Sequence, residues 1–99
     1  MKKTNIKKPE QNIKEIIYKF LKPQDYQIFI FGSRVAGEAG EFSDFDIGIS
    51  GSKHLTLKKL ALIKEAFEES DLPYMVDIID FSTVTPYFKE EALSRIIKL

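Results

Sequence analysis

Asp44 and Asp46 are separated by a single residue at the start of the segment from Asp44 to Ser50, whose residues predict a β-strand. Side chains two residues apart on a strand project from the same face, so these two carboxylates would lie side by side. Carboxylates this close repel each other unless a cation lies between them. Mg²⁺ takes oxygen ligands and is commonly held by one or two carboxylates together with substrate phosphates. The pair indicates a Mg²⁺ site, and the alternative is a solvent-facing strand edge or turn.

A third aspartate, Asp77, lies inside the apolar run from Met75 to Phe81, which predicts another strand. A lone carboxylate in a buried strand is costly without a partner. If this strand neighbours the previous one, Asp77 completes a triad with the Asp44 and Asp46 pair; otherwise it lies near the strand's start and faces water. Asp80 projects from the opposite face and lies near the strand's end, where it can reach water or cap a turn. We therefore predict that Asp77 is the deeper and functional carboxylate of the two.

Gly32 and Ser33 follow the apolar run from Gln27 to Phe31, which predicts a central strand. Glycine allows a tight turn and a close approach of the backbone to a ligand. A helix that begins here would offer free N–H groups and a positive dipole end to a phosphate, and the Ser33 hydroxyl would add a hydrogen bond. Alone, the same pair is typical of an ordinary turn. Together with the three carboxylates, it supplies what two-metal phosphoryl transfer requires.

The elements that must position these residues alternate along the chain as α-β-α-β-α-β-α, which predicts an α/β (α+β) fold with a small mixed sheet of three or slightly more strands covered by helices. We predict helices over Pro9 to Leu21 and over Leu57 to Ser70, a short turn or helix after Ser33, and a last helix capped by Thr85 with Pro86 at its first position. In the second long helix the residues expected to face inward are Leu57, Leu60, Ala61, Ile63 and Phe67. In the last helix they are Phe88, Ala92, Leu93, Ile96 and Ile97.

Composition narrows the classes of protein that this sequence can encode. Its 99 residues fit one domain, which we predict to span 1–99. Lys+Arg and Asp+Glu both number 15, so the basic excess typical of a nucleic-acid-binding protein is absent. There is no cysteine, and no apolar run approaches the roughly 20 residues of a membrane span. The sequence predicts a cytoplasmic protein that binds neither membranes nor nucleic acids.

The spacing of these motifs resembles a known family. Gly32-Ser33, then residues 34–42, then Ser43-Asp44-Phe45-Asp46 is similar to the signature of the DNA polymerase beta-like nucleotidyltransferases, above all their minimal nucleotidyltransferase (MNT) branch. The segment Val76 to Asp80 resembles the one that carries the third catalytic aspartate in that family, and the flanking helices also fit. The resemblance covers nearly the whole chain and implies the nucleotidyltransferase fold.

The resemblance also implies an activity, namely transfer of a nucleoside monophosphate from an NTP, with ATP favoured, to an acceptor hydroxyl with release of pyrophosphate. It gives catalytic and metal-binding roles, with two Mg²⁺ ions, to Asp44, Asp46 and Asp77. It assigns nucleotide binding to Gly32, Ser33, Arg34 and Ser43. Asp77 would hold the metal that activates the attacking hydroxyl. After Gly-Ser-Arg, many minimal members continue with Ala-Arg-Gly, whereas this chain has Val35-Ala36-Gly37, so one cationic contact is missing.

Minimal members of the family are often paired with a small helical protein of the HEPN type, and in toxin–antitoxin pairs the MNT protein is the antitoxin and can modify the toxin with AMP. The resemblance therefore implies a HEPN-type partner. One alternative is a non-catalytic module that binds nucleotide and scaffolds or neutralises that partner. Another is transfer to a small molecule, but the enzymes that do this carry an extra acceptor domain. A homo-oligomer remains open.

Overall fold

The computed structural model describes residues 8–32, 35 and 44–99 of the chain. Its helices and strands, in chain order, are α1 (Pro9–Ile17), β1 (Tyr26–Phe31), β2 (Phe45–Gly51), α2 (Leu57–Glu68), β3 (Val76–Asp80), α3 (Pro86–Leu93) and β4 (Ile97–Lys98). The turn or helix expected after Ser33 lies outside the described residues. None of the described helices is both long enough and apolar enough to cross a membrane.

The four strands form one mixed sheet in the order β3-β2-β1-β4. β1 pairs antiparallel with both β2 and β4, whereas β2 pairs in parallel with β3. The α2 helix lies between β2 and β3 in the chain, as a parallel pair requires of its crossover. The predicted fold class, a small mixed sheet with helices, is confirmed, while the assignment of 1–99 to a single domain stays a prediction.

The end of the chain departs from the prediction, which made Ile96 and Ile97 part of the last helix. The α3 helix begins as expected, with the Thr85 hydroxyl accepting the Phe88 N–H at 3.2 Å, but it ends at Leu93. Ile97 then pairs with Ile30 in a fourth strand. Adjacent β-branched residues favour extended backbone, and here the open edge of β1 offers them a partner. The element order therefore ends in a strand rather than a helix.

The helices α1 and α2 pack on one face of the sheet. The core on this face joins Ile13 and Ile17 of α1 to Ile63 and Phe67 of α2 over buried strand residues. The prediction that Leu57 and Ala61 also face inward is wrong, because both are exposed, Leu57 by 86%. They lie four residues apart and share a stripe of α2 that is turned away from the one through Ile63 and Phe67.

The opposite face carries a smaller aromatic core beneath α3. Phe29, Phe31 and Phe81 are buried together, and Phe88 of α3 contacts the last two with ring centroids 6.1 Å and 5.8 Å away. Phe29 and Phe81 also press against Gly48, where a side chain would overlap both rings. The same face carries the side chains of Asp46 and Asp77, so this aromatic core lies next to the candidate site.

Candidate active site

The carboxylates gather at the corner of the sheet where β1 ends and β2 and β3 begin. The backbone register places Asp46 between Phe31 of β1 and Asp77 of β3. Asp44 lies just before β2, two residues ahead of Asp46. The condition set for the triad, that the second and third strands are neighbours, is therefore met, and Asp46 and Asp77 lie directly opposite each other on adjacent strands.

Electrostatics single out Asp46 as the central member of this group. Its side chain is partly buried, and burial raises the pKa of its carboxyl above the ordinary value. The negative charges of Asp77 and then of Asp44 raise that pKa further. The three carboxylates are thus close enough to repel one another, and a cation among them would relieve the repulsion.

The donor set fits Mg²⁺ in chemistry, because it offers carboxylate oxygens alone. Among residues 8–32, 35 and 44–99, however, no three His, Cys, Asp or Glu side chains are close enough to form a ready-made metal cluster. Mg²⁺ usually takes only one or two protein carboxylates and completes its shell with water and phosphate oxygens. Asp46 and a neighbouring carboxylate could therefore supply the protein ligands of such an ion.

Gly32 is shaped by its closeness to Asp46. Its φ of 82° lies in the left-handed region that favours glycine, and a Cβ there would overlap the Asp46 carboxylate. The Gly32 carbonyl accepts the Val35 N–H at 3.1 Å, which closes a turn directly after β1. The chain can therefore pass over the carboxylate group only with glycine at this position. The other predicted nucleotide-binding residues, Ser33, Arg34 and Ser43, lie outside the described residues.

The predicted depths of Asp77 and Asp80 are reversed in the structure. Asp77 is exposed, whereas Asp80 has 9% of its surface exposed and faces the core beneath α1 and α2. The Asp80 carboxylate accepts hydrogen bonds from the Leu55 N–H at 2.7 Å, the Ser82 N–H at 3.0 Å and the Ser82 hydroxyl at 2.8 Å. These bonds, rather than a cation, offset its burial. The prediction that the two side chains take opposite faces holds, and Asp77 shares the face of Asp46.

A family model described as "Polymerase beta, Nucleotidyltransferase" matches residues 11–99 of the chain. The chain belongs to the polymerase beta nucleotidyltransferase family. The expectation from the motifs is confirmed at the level of the family.

Individual relatives place this nucleotidyltransferase in the minimal branch. The Haemophilus influenzae protein named "Probable protein adenylyltransferase MntA" is 42% identical over 86 residues, which cover 87% of this chain and 75% of the relative. A crystal structure of a toxin–antitoxin with AMP-PNP aligns with a TM-score of 0.75 at 20% identity, over 92% of this chain and 72% of that one. The complex of a tri-AMPylated Shewanella oneidensis HEPN toxin with an MNT antitoxin aligns with a TM-score of 0.60, also at 20% identity, over 90% and 70%. These structures share the fold of this chain.

Sequence reasoning missed a groove beside the nucleotidyltransferase carboxylates. It has a volume of about 330 Å³, and its lining includes Asp77 together with Lys64 and Met75. Lys64 belongs to α2 and Met75 precedes β3, so only the packing of α2 against the sheet brings them together. No local motif marks either residue.

The raised pKa of Asp46 leads to a prediction about stability. Because the folded protein disfavours the ionised form, Asp46 lowers the stability of the metal-free protein at pH 7, and this penalty disappears below the unfolded-state pKa of about 4. We expect Asp46→Asn to raise the melting temperature in EDTA at pH 7 and to leave it unchanged near pH 3. Thermal unfolding followed by circular dichroism measures both. Asp71→Asn, on an exposed loop, serves as the control; a destabilised Asp46→Asn at pH 7 would contradict the electrostatic account.

Proposed function

We propose that this protein is a Mg²⁺-dependent adenylyltransferase that transfers AMP from ATP to a hydroxyl of a HEPN-type partner protein and acts as the antitoxin of that pair. The observation that carries the proposal is the convergence of Asp44, Asp46 and Asp77, in which burial and then the charges of Asp77 and Asp44 raise the pKa of Asp46. The relative named a protein adenylyltransferase supports both the reaction and the kind of acceptor. The proposal places the pair in the cytoplasm, where ATP is available.

The proposal gives each carboxylate a task in this reaction. Asp44 and Asp46 would hold Mg²⁺ against the triphosphate, and Asp77, on the adjacent strand, would share an ion with the attacking hydroxyl. Mg²⁺ held there would lower the pKa of that hydroxyl and neutralise charge on the leaving pyrophosphate. The acceptor oxygen bonds to the α-phosphorus while the bond from that phosphorus to the bridging oxygen breaks. The hydroxyl proton leaves to solvent, which reaches the exposed Asp77 directly.

The nucleotide-binding residues in this proposal are Gly32, Ser33, Arg34 and Ser43. Gly32 supports the assignment because its lack of a side chain lets the backbone pass close to the Asp46 carboxylate. Ser33 would add a hydroxyl donor, and Arg34 the one cationic contact that the motif retains. Ser43 directly precedes Asp44 and would contact the same nucleotide.

Nucleotide binding should depend on a divalent cation, since a polyanion approaching three carboxylates is repelled until their charge is offset. We expect calorimetry to detect ATP binding in Mg²⁺ and at least about a tenfold weaker affinity in EDTA, which corresponds to about 1.4 kcal/mol. Asp71→Asn should bind as the unaltered chain does, whereas Asp46→Asn should lose most of the Mg²⁺ effect. Equal affinities with Mg²⁺ and with EDTA would remove the metal from the proposal.

Transfer should depend on the partner, because the described surface around the carboxylates is open and holding both reactants in place can supply roughly 7–11 kcal/mol of barrier lowering. With labelled ATP, we expect little transfer by the chain alone and strong labelling of the HEPN-type protein. Mass spectrometry would locate the added AMP. Tight ATP binding without any labelling of the partner would instead establish the non-catalytic module, and rapid labelling of free small alcohols would contradict a protein acceptor.

A further inference from the structure

The groove beside Asp77 opens at an outer edge of the sheet. Its lining comes from α2, from the connection after it and from the first residues of β3, and includes Lys64, Tyr74, Met75, Val76 and Asp77. We call it the Asp77 groove. Because β3 is the last strand of the sheet, the groove runs from the helical face around the edge to the carboxylate that faces the other side. A molecule lying in it would reach Asp77 without crossing the sheet.

Along this edge, the backbone of β3 presents hydrogen-bonding groups that no other described element uses. The Met75 carbonyl accepts the Phe45 N–H at 2.9 Å, and the Phe81 N–H donates to the Ile49 carbonyl at 2.9 Å, so the odd-numbered residues face β2. In a parallel pair the alternate residues point their N–H and C=O groups the other way. These are Val76 and Ile78, and no backbone bond from another element of the described chain reaches them. As far as residues 8–32, 35 and 44–99 are concerned, this edge is therefore open to a further strand.

The side chains at the mouth of the groove suit a peptide. Met75 is 73% exposed, and a flexible thioether adapts to apolar side chains of varied shape. Lys64 and Glu68 of α2 are exposed and line the same groove, so it offers charges of both signs beside its apolar surface. An open, apolar strand edge is a liability that proteins usually block with charge, proline or a covering element. Here the residue that directly precedes this edge is the exposed, apolar Met75 rather than a charged residue or a proline.

We propose that an extended segment of the partner protein lies in the Asp77 groove, pairs with the free edge of β3 and so brings its acceptor hydroxyl to Asp77. This inference rests on the proposed function, which places the activated hydroxyl at Asp77. Strand addition satisfies the outward groups of Val76 and Ile78, which a helix cannot do because its own backbone groups are already bonded. The main-chain bonds then fix the segment's register, and the groove takes one of its side chains.

Substitution at Met75 tests this docking surface, with the HEPN-type partner protein as the probe. Met75→Gln keeps the length of the side chain and adds no charge near Asp77; Leu57→Gln makes the same kind of change at an exposed residue at the far end of α2. We expect Met75→Gln to raise the KM for the partner about tenfold and to leave the ATP affinity unchanged. A contact that holds the partner equally in the ground state and the transition state affects KM in this way. Leu57→Gln should change neither quantity. An unchanged KM in Met75→Gln overturns the proposal.

Hydrogen exchange gives an independent result that does not require turnover. With Mg²⁺ and a non-hydrolysable ATP analogue, we expect the amides of Val76 and Ile78 to become protected when the partner is added. Amides that exchange equally fast with and without partner overturn the proposal, and protection that rises with the concentration of this chain alone reveals self-association instead. If the partner protects these amides but the unaltered chain never labels it, docking stands and the proposed transfer fails.

Discussion

Asp77→Asn should abolish AMP transfer while the protein stays folded. The substitution keeps the shape of the side chain and removes the charge that the proposed function uses to hold the ion at the acceptor hydroxyl. Losing several kcal/mol of transition-state stabilisation slows the reaction at least about 1,000-fold, at roughly 1.4 kcal/mol per factor of ten. Because Asp77 is exposed, its replacement leaves no buried group without a partner. Initial rates of partner labelling, with circular dichroism as the folding control, provide the measurement.

Asp80→Asn is the matched comparison, since it makes the same change three residues away on the other face of β3. The amide has one acceptor oxygen where the carboxylate has two. If that oxygen accepts the Ser82 N–H, the NH₂ group faces the Leu55 N–H, and two donors meet without an acceptor. We expect a loss of about 1–3 kcal/mol in the free energy of unfolding, together with nearly full activity per folded molecule. A folded but inactive Asp80→Asn beside an active Asp77→Asn would mean that the two carboxylates have been assigned the wrong roles.

Gly48→Ala should destabilise the folded protein although it adds only one methyl group. Gly48 lies in the middle of β2, and a Cβ there would overlap the rings of Phe29 and Phe81, which meet edge-on at 4.8 Å. Overpacking of this kind costs about 1–3 kcal/mol, or roughly 5–20 °C in melting temperature for a domain of this size. Thermal unfolding measures the shift. Ser50→Ala, on the same face of β2, should stay within about 0.5 kcal/mol; a similar loss there would show that the strand rather than the aromatic rings is sensitive.

The sequence was informative about the site wherever the chemistry is local. Strand alternation alone predicted Asp44 and Asp46 on one face and separated Asp77 from Asp80, and the register then places Asp46 opposite Asp77. The depth of each carboxylate was not predictable in this way. Asp80 is buried because the Leu55 N–H, 25 positions earlier in the chain, lies within hydrogen-bonding reach, and no pattern within β3 records that partner.

The fold was predictable to the level of its sheet and long helices, and the errors lie where tertiary contacts overrule local patterns. Ile97 has the spacing of a helical apolar stripe, but the open edge of β1 draws it into a strand opposite Ile30. Leu57 continues the apolar pattern of α2 although only the stripe through Ile63 and Phe67 meets the sheet. In both cases the periodicity is real, and the neighbour that decides the outcome is distant in sequence.

The parallel pairing of β2 and β3 separates two demands that often compete in enzymes. The carboxylates stand where these strands begin, whereas the tie between Asp80 and Leu55 stands where they end. Catalytic sites usually tolerate electrostatic strain at the expense of robustness, so a mutation that improves one property tends to harm the other. In this chain the repelling charges and the hydrogen bonds of Asp80 occupy opposite ends of the same two strands. Substitutions at the Asp80 end can therefore adjust stability while the carboxylates at the other end stay as they are.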